Sequence, residues 1–299
     1  MPEAPGVTVI VPTLNRGGFL ADCLRDLIAQ DYRPLEILVV DQSEAIPEPV
    51  RELVAAHPNL ISYHTVLFRG LPPARNYGWQ HARYDALVYV DDDVRCPPTL
   101  VREHLRALSL PNVGAVAGRI VEPGRSAAQN GNTGRFRYWT ATPERYFDSE
   151  AEFEVDHVPG GNFSTWRSVA DQVGGFDEGL NIGAALYEET EYCLRIRQAG
   201  YRIVYNGRAL LEHLAAPTGG CRVEDVERYV WALAHNRTIL IRRYLRWFQK
   251  PTAYAELLRL GLAYAVRYRR FRVIRATLAG YRAANLVSSP RLDFRRQST

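Results

Sequence analysis

Short apolar runs alternate with helix-spaced segments through the first ninety residues. Val7-Thr8-Val9-Ile10-Val11 is a β-branched run stopped by Pro12. From Phe19 to Gln30, apolar residues recur at Phe19, Leu20, Cys23, Leu24, Leu27 and Ile28, the spacing of a helix with one buried face. A second run, Leu35 to Val40, ends in Asp41. The pattern then predicts a helix over 49–56, a strand over 60–67, a helix over 73–81 and a strand over 86–90 that runs into Asp91-Asp92-Asp93. Val-, Ile- and Leu-rich strands separated by helices imply βαβ units, and so an α/β fold with a mostly parallel sheet flanked by helices.

The pattern loosens in the middle. A strand is expected over 113–121. A loop rich in Gly, Asn, Ser and Arg follows over 123–142, long enough to suggest a functional segment. A helix over 189–199, closed by Gly200, leads into a strand over 201–205. Residues 225–248 read as a long amphipathic helix and 252–284 as further helix, with a boundary near 221–223 after Pro217-Thr218-Gly219-Gly220.

With 299 residues, 46% hydrophobic and 23% charged, the chain can bury a full core, which excludes a disordered or collagen-like chain and a small disulfide scaffold. Four scattered cysteines without a C-x-x-C pair read as reduced thiols rather than a zinc site. No secretory leader or spanning helix is expected. The net charge of +4 hides an asymmetry: residues 237–299 carry +13 and the first 236 carry −9. That clustering points to an acidic partner or an anionic surface.

Ligands of open α/β sheets bind at the carboxyl ends of the strands, where Asp41 and the Asp91-Asp92-Asp93 run are expected. Three consecutive carboxylates repel one another unless a hard divalent cation joins them to phosphate oxygens. Neither G-x-G-x-x-G nor G-x-x-x-x-G-K-[ST] is present, which counts against a dinucleotide oxidoreductase and a P-loop NTPase. A second acidic cluster, Glu188-Glu189-Thr190-Glu191, opens a helix that ends in Arg195 and Arg197. This arrangement suits the helix macrodipole, and it also suits a general base.

Several segments, in order, resemble one family. They are Pro12-Thr13-Leu14-Asn15-Arg16, Val39-Val40-Asp41-Gln42-Ser43, Ala74-Arg75-Asn76-Tyr77-Gly78 and Asp91-Asp92-Asp93. They continue with Gly160-Gly161-Asn162-Phe163, Gly174-Gly175-Phe176-Asp177-Glu178, and Glu188-Glu189-Thr190-Glu191 with Arg195 and Gly200-Tyr201. They resemble the family 2 glycosyltransferases of GT-A fold over about residues 7–215. The resemblance implies a catalytic domain over 1–221, with a nucleotide-sugar half over about 1–120 and an acceptor half over about 121–221. A basic, amphipathic helical region would follow over 222–299.

By position, the resemblance assigns Pro12, Thr13, Asn15, Arg16, Asp41, Arg75, Asp91 and Asp92 to the nucleotide sugar. It assigns Asp93, Asp91 and His213 to a divalent cation, Mg or Mn. Gly161, Asn162, Trp166 and Glu188 would line the acceptor, and Glu189 would be the catalytic base with Glu188 beside it. Two positions depart from the family pattern: Gln42 stands where an Asp is usual, and the base is Glu rather than Asp. The implied activity is inverting sugar transfer from a nucleoside diphosphate sugar to a glycan or lipid-linked acceptor, in cell-surface polysaccharide or glycolipid assembly. A sugar nucleotidyltransferase and an inactive GT-like binding module are the alternatives. The basic end reads as a surface for an anionic membrane, as packing on the acidic remainder or, least favoured, as a nucleic-acid site. The expected location is cytoplasmic, peripheral at the inner face of the plasma membrane.

Overall fold

The computed structural model describes residues 4–122 and 133–287. Part of the loop expected over 123–142 (residues 123–132) and the end of the basic region (288–299) lie outside the described residues. In chain order the elements begin with β1 (Val7–Thr13), α1 (Gly17–Ile28), β2 (Leu35–Asp41), α2 (Glu48–Ala56), β3 (Ile61–Thr65), α3 (Leu71–His81) and β4 (Ala86–Val90). There follow β5 (Val94–Arg95), α4 (Leu100–Leu108), β6 (Val113–Val121), β7 (Phe136–Arg137), β8 (Thr142–Pro143), β9 (Glu152–Val155) and β10 (Asn162–Trp166). The last are α5 (Arg167–Val173), α6 (Glu188–Gln198), β11 (Arg202–His213), α7 (Val226–Tyr244), α8 (Lys250–Arg267) and α9 (Arg272–Leu286).

The chain divides into two compact units. The first comprises Met1–Arg135, Pro143–Asn181 and Glu188–Arg222; the second comprises Phe136–Thr142, Ile182–Tyr187 and Val223–Thr299. The first unit is built on a sheet of order β3-β2-β1-β4-β10-β6-β11-β5, with β9 added to β11. Strands β3, β2, β1 and β4 run parallel, and β10 enters antiparallel between β4 and β6. The mostly parallel α/β sheet expected from the apolar runs is therefore present. The strands read as continuous apolar runs because both faces are covered. Val7, Val9, Val11, Ile37, Val39, Val88 and Val90 meet Leu20, Leu24 and Leu27 of α1 and Leu100, Val101 and Leu108 of α4. On the opposite face α3 lies so close that a Cβ on Gly78 would come within 2.4 Å of Ile10. Tyr89, Phe163, Phe176 and Tyr192 stack on that same face, with ring centroids 4.6 Å apart for Tyr89–Phe163 and 4.4 Å for Phe176–Tyr192.

Several elements differ from the sequence expectation. Helix α4 is not among the expected elements, although Leu100, Val101, Leu105 and Leu108 recur at helical spacing and share its buried face with His104. Strand β11 runs to His213, well past the expected end at 205, because its register against β6 shifts between Asn206 and Leu210 and then resumes. The four cysteines are free, three of them buried.

The second unit holds α7, α8 and α9. Asp225 caps α7, its carboxylate accepting from the Arg228 N–H at 2.6 Å. Residues 232–241 of α7 are all buried, so this stretch presents no free apolar face. The helical stretch expected over 252–284 is two helices. They break at Tyr268–Phe271, where Arg269 takes φ 52°. Small residues let the helices close up: a Cβ on Gly280 would lie 2.2 Å from the Trp231 carbonyl, and one on Gly261 would lie 2.4 Å from the Thr277 hydroxyl.

Candidate active site

The carboxyl ends of β1, β2 and β4 deliver the first group of side chains. Asp41, the last residue of β2, is buried; its Oδ1 accepts from the Ser43 N–H at 2.8 Å and its Oδ2 from the Tyr63 hydroxyl. Pro12 and Thr13 close β1. Asn15 follows at φ 56°, and its N–H donates to the Ser43 hydroxyl at 2.8 Å. Gln42, standing where the family pattern has an acid, holds backbone in place, since its Oε1 accepts from the Gly70 N–H at 2.6 Å, just before α3.

The three aspartates after β4 take different roles. Asp92 is buried, with Oδ2 taking the Thr13 hydroxyl at 2.6 Å and Oδ1 taking Arg16 Nη1 at 3.0 Å. Burial still pushes its carboxyl up to about 6. Asp92 thus ties the β1 loop to β4 rather than facing a ligand freely. Arg16 also lies 3.2 Å from Asp93 and donates to the carbonyls of Thr218 and Gly219 at 2.9 and 3.3 Å. Gly219 and Gly220, which look like a linker in the sequence, instead approach Arg16 at positive φ, where a Cβ on either would lie 2.8 Å from its side chain.

Asp91 is partly exposed and Asp93 is buried. Pairing of His213 with Val94 sets the imidazole next to Asp93, with Nε2 at 3.4 Å from Oδ1. The other ring nitrogen lies 3.4 Å from Glu122. Donor atoms of Asp91, Asp93 and His213 all lie within 4.8 Å of one another. Asp93 Oδ2 is held by the Ala216 N–H at 2.8 Å, while the buried Oδ1 has the His213 imidazole at 3.4 Å but no hydrogen bond of good geometry among the described residues. A buried carboxylate oxygen in that state is expensive unless a cation completes it. Two carboxylates and an imidazole suit a divalent cation with open positions for phosphate oxygens. Burial raises the Asp91 carboxyl above its ordinary value. For Asp93 burial acts upward too, but His213, Arg16 and the Ala216 N–H outweigh it and hold the carboxyl low. His213 is raised by its contact with Asp93.

Arg75 links this cluster to the second acidic group. It lies on the buried side of α3, 3.9 Å from Asp91 Oδ1; its Nη1 donates to Glu188 Oε1 and its Nη2 to the Gly160 carbonyl at 2.6 Å. The guanidinium stacks over Phe163 and Phe176, 5.4 and 5.5 Å from the ring centroids. Glu188 Oε2 and Arg75 Nε are buried without hydrogen-bond partners among the described residues. The first-turn acids of α6 are all buried, so they are not a solvated face capped by the macrodipole alone. Glu189 lies beside them, with Arg145 at 3.5 Å from its Oε1. A Cβ on Gly160 would sit 3.3 Å from Arg75 and 4.0 Å from the Glu189 carboxyl carbon, and one on Gly161 would lie 2.5 Å from Asp91 Oδ2. Gly161 is therefore needed for close approach, while Gly160 leaves room for Arg75.

The structure thus gathers Pro12, Thr13, Asn15, Arg16, Asp41, Arg75, Asp91, Asp92, Asp93, Gly161, Glu188, Glu189 and His213 around the strand ends of one unit. It places two expected residues elsewhere. Asn162 does not line an acceptor groove: its amide donates to the Arg119 and Ala209 carbonyls, both at 2.8 Å, and its Oδ1 meets His104 at 2.7 Å. Trp166 ends β10 opposite Ala86, the start of β4, and its indole N–H donates to the Leu108 carbonyl. It therefore lies at the far end of the strand from Asp91. Arg145 and Tyr63 join the site unannounced, since no motif in the sequence marks them, while Ser43 ends the Asp41 segment but is assigned no role. The glycine pair at 219–220 is a visible signal whose meaning is close approach and not a linker.

Comparison with solved structures gives the class first. A mannosyltransferase from Pyrobaculum calidifontis in complex with GDP-Man and Mn2+ superposes with TM-score 0.62 at 24% identity, covering 96% of this chain and 77% of that one. GalNAc-T7 with UDP, GalNAc and Mn2+ superposes with TM-score 0.63 at 16% identity, covering 91% and 59%. The fold is that of the GT-A glycosyltransferases. The chain belongs to glycosyl transferase family 2, whose model matches residues 8–174. It is 29% identical over 217 residues to the pre-mycofactocin glycosyltransferase of Mycobacterium tuberculosis, covering 71% of this chain and 43% of that protein. It is 26% identical over 215 residues to the glucosyl-dolichyl phosphate glucuronosyltransferase of Haloferax volcanii, covering 69% and 68%. The chain thus spans less than half the length of the mycobacterial relative.

Proposed function

We propose that this protein transfers a sugar, with inversion, from a nucleoside diphosphate sugar to an acceptor hydroxyl in the assembly of a cell-surface polysaccharide or glycolipid. One observation carries the reading. The Asp91–Asp93–His213 donor set is joined through Arg75 to the buried carboxylates at the start of α6. The GDP-Man and Mn2+ in complex with the mannosyltransferase, and the UDP, GalNAc and Mn2+ with GalNAc-T7, support a nucleotide-sugar donor and a divalent cation here.

Asp41, already holding Ser43 and Tyr63, receives the nucleotide base, with Thr13 and Asn15 beside it. Asp91, Asp93 and His213 would hold a divalent cation, which would supply Lewis-acid stabilisation of negative charge on the departing diphosphate. Arg75 keeps Asp91 and Glu188 at fixed positions before reaction, so little reorganisation is needed as charge develops. Glu189 takes the acceptor proton at a carboxylate oxygen as the acceptor attacks the anomeric carbon from the face opposite the leaving group.

The test is Glu189→Gln. Donor binding stays near normal while turnover falls about 10²–10⁴-fold, the usual contribution of a positioned base. Mn2+-dependent release of nucleoside diphosphate, and a product of anomeric configuration opposite to the donor, would support the reading. Near-normal turnover in the variant would remove Glu189 as base. Pyrophosphate release from a nucleoside triphosphate would make the protein a nucleotidyltransferase instead.

A further inference from the structure

Helix α8 carries apolar residues on two sides. Ala253, Leu257, Gly261 and Ala265, four apart, are buried within the second unit. Leu258, Leu262 and Val266, also four apart, form a second stripe that is 52%, 52% and 66% exposed. A surface helix of a soluble protein ordinarily turns polar residues outward, so this outer stripe calls for a partner. The stripe leads into the α8–α9 turn, Tyr268-Arg269-Arg270-Phe271, in which every residue is exposed and Phe271 is 78% exposed. Residues 257–287 contain seven arginines (259, 267, 269, 270, 272, 275 and 282) and no Asp or Glu. All seven are exposed. Among the described residues only Arg259 reaches back to an acid, pairing with Glu256 at 2.6 Å.

Apolar and aromatic side chains interleaved with arginine, with no acid among them, match the interface of an anionic bilayer. The rings and aliphatic groups enter the boundary between headgroups and acyl chains, while each guanidinium stays with the phosphates. We propose that the outer stripe of α8 and the α8–α9 turn form a peripheral docking surface for an anionic lipid leaflet, with Phe271 and Tyr268 as the inserting residues. This places the membrane contact on α8 and α9, away from α7, whose centre is buried. The proposal is independent of sugar transfer, since docking needs neither donor nor acceptor.

The test is flotation of the full chain with phosphatidylcholine vesicles and with phosphatidylcholine–phosphatidylglycerol vesicles. Binding to the anionic vesicles, weakened by salt, and little binding to neutral ones is the expected result. Each arginine removed should lower partitioning about fivefold, so Arg269→Ala with Arg270→Ala should lower it about 25-fold. Phe271→Ser should lower it by about tenfold or more. All three side chains are exposed, so melting temperatures should not change, which separates lost docking from lost folding. Four results would overturn the proposal. One is no binding to anionic vesicles at low salt. A second is equal binding to neutral vesicles. A third is a dimer in solution that Phe271→Ser dissolves, which would assign the stripe to a second copy. The last is RNA binding abolished by the arginine pair with vesicles ignored.

Discussion

Replacing Arg75 with Met tests whether the two acidic groups are coupled through one buried cation. Both Arg75 and Glu188 have side chains 1% exposed, and Arg75 is further committed to the Gly160 carbonyl and to the ring faces of Phe163 and Phe176. Burial alone lowers the affinity of Arg75 for its proton, and the nearby acids oppose that. Removing the cation leaves the Glu188 carboxylate without its partner in a pocket walled by aromatic rings. Breaking a buried pair in that way costs about 3–5 kcal/mol. Glu188→Gln removes the charge but keeps a hydrogen-bonding group, and Arg75 retains Asp91 at 3.9 Å, so this variant should lose only about 1–3 kcal/mol. In the double variant the stranded charge is gone and the main loss is the bond to Gly160, again about 1–3 kcal/mol. The double variant should therefore be more stable than Arg75→Met alone, with a coupling energy of about 4 kcal/mol, somewhat above the usual range for residues in contact because a buried charge is involved. Urea unfolding of the four proteins, followed by circular dichroism, measures this directly. Additivity to within about 0.5 kcal/mol would mean that the pair does not act as a unit and that Arg75 does not tie the two clusters together.

Further predictions concern the cation and the buried histidines. Mn2+ at about a hundred times its dissociation constant should stabilise the wild-type chain by about 2.7 kcal/mol in a thermal-shift assay, with the shift erased by chelator. In Asp93→Asn and His213→Ala the apparent affinity should fall about 10–100-fold, and an unchanged shift in both would remove the ion from this cluster. Gly161→Ala forces a methyl to within 2.5 Å of Asp91 Oδ2, so it should weaken Mn2+ binding about tenfold while the fold persists; unaltered binding would show that Asp91 is not a ligand. Burial lowers His104 and His157 from 6.5 to about 4 each. The unfolded chain therefore takes up protons that the folded chain refuses as pH falls from 6.5 towards 4. Stability is complete above pH 6.5 and declines across that window, by up to about 3 kcal/mol for each histidine. His104→Asn should flatten the decline measured by urea unfolding, and an unchanged slope would refute the assignment.

The outline of the fold is written in the chain. Val7–Thr13, Leu35–Asp41 and Ala86–Val90 are apolar because both sheet faces are covered, and that pattern is local enough to read without knowing the partners. The acids that end two of these strands are legible for the same reason: a charged residue directly after a buried strand must emerge at its end. Side chains whose position depends on long-range register are harder. Asn162 resembles a ligand-binding residue, but the pairing of β10 with β4 and β6 turns its amide onto the Arg119 and Ala209 carbonyls. Trp166, only four residues on, is carried by that strand to the opposite end of the sheet.

By itself, the sequence determined which segments form most of the strands and helices, the acidic strand ends and the charge contrast between the two parts of the chain, all of which follow from residue type at short spacing. Only the tertiary structure decided which aspartate faces outward, since Thr13 and Arg16 claim Asp92 from β1 and the loop after it. It also supplied the contact of His213 with Asp93, a grouping the family resemblance implies but no local pattern encodes, since it requires the register of β5 on β11, and it decided that Arg75 joins two acidic clusters far apart along the chain. The physical reason is the same in each case: a buried charge is tolerable only where its partner sits, and partners distant in sequence are brought together by sheet order and helix packing, which no local pattern encodes.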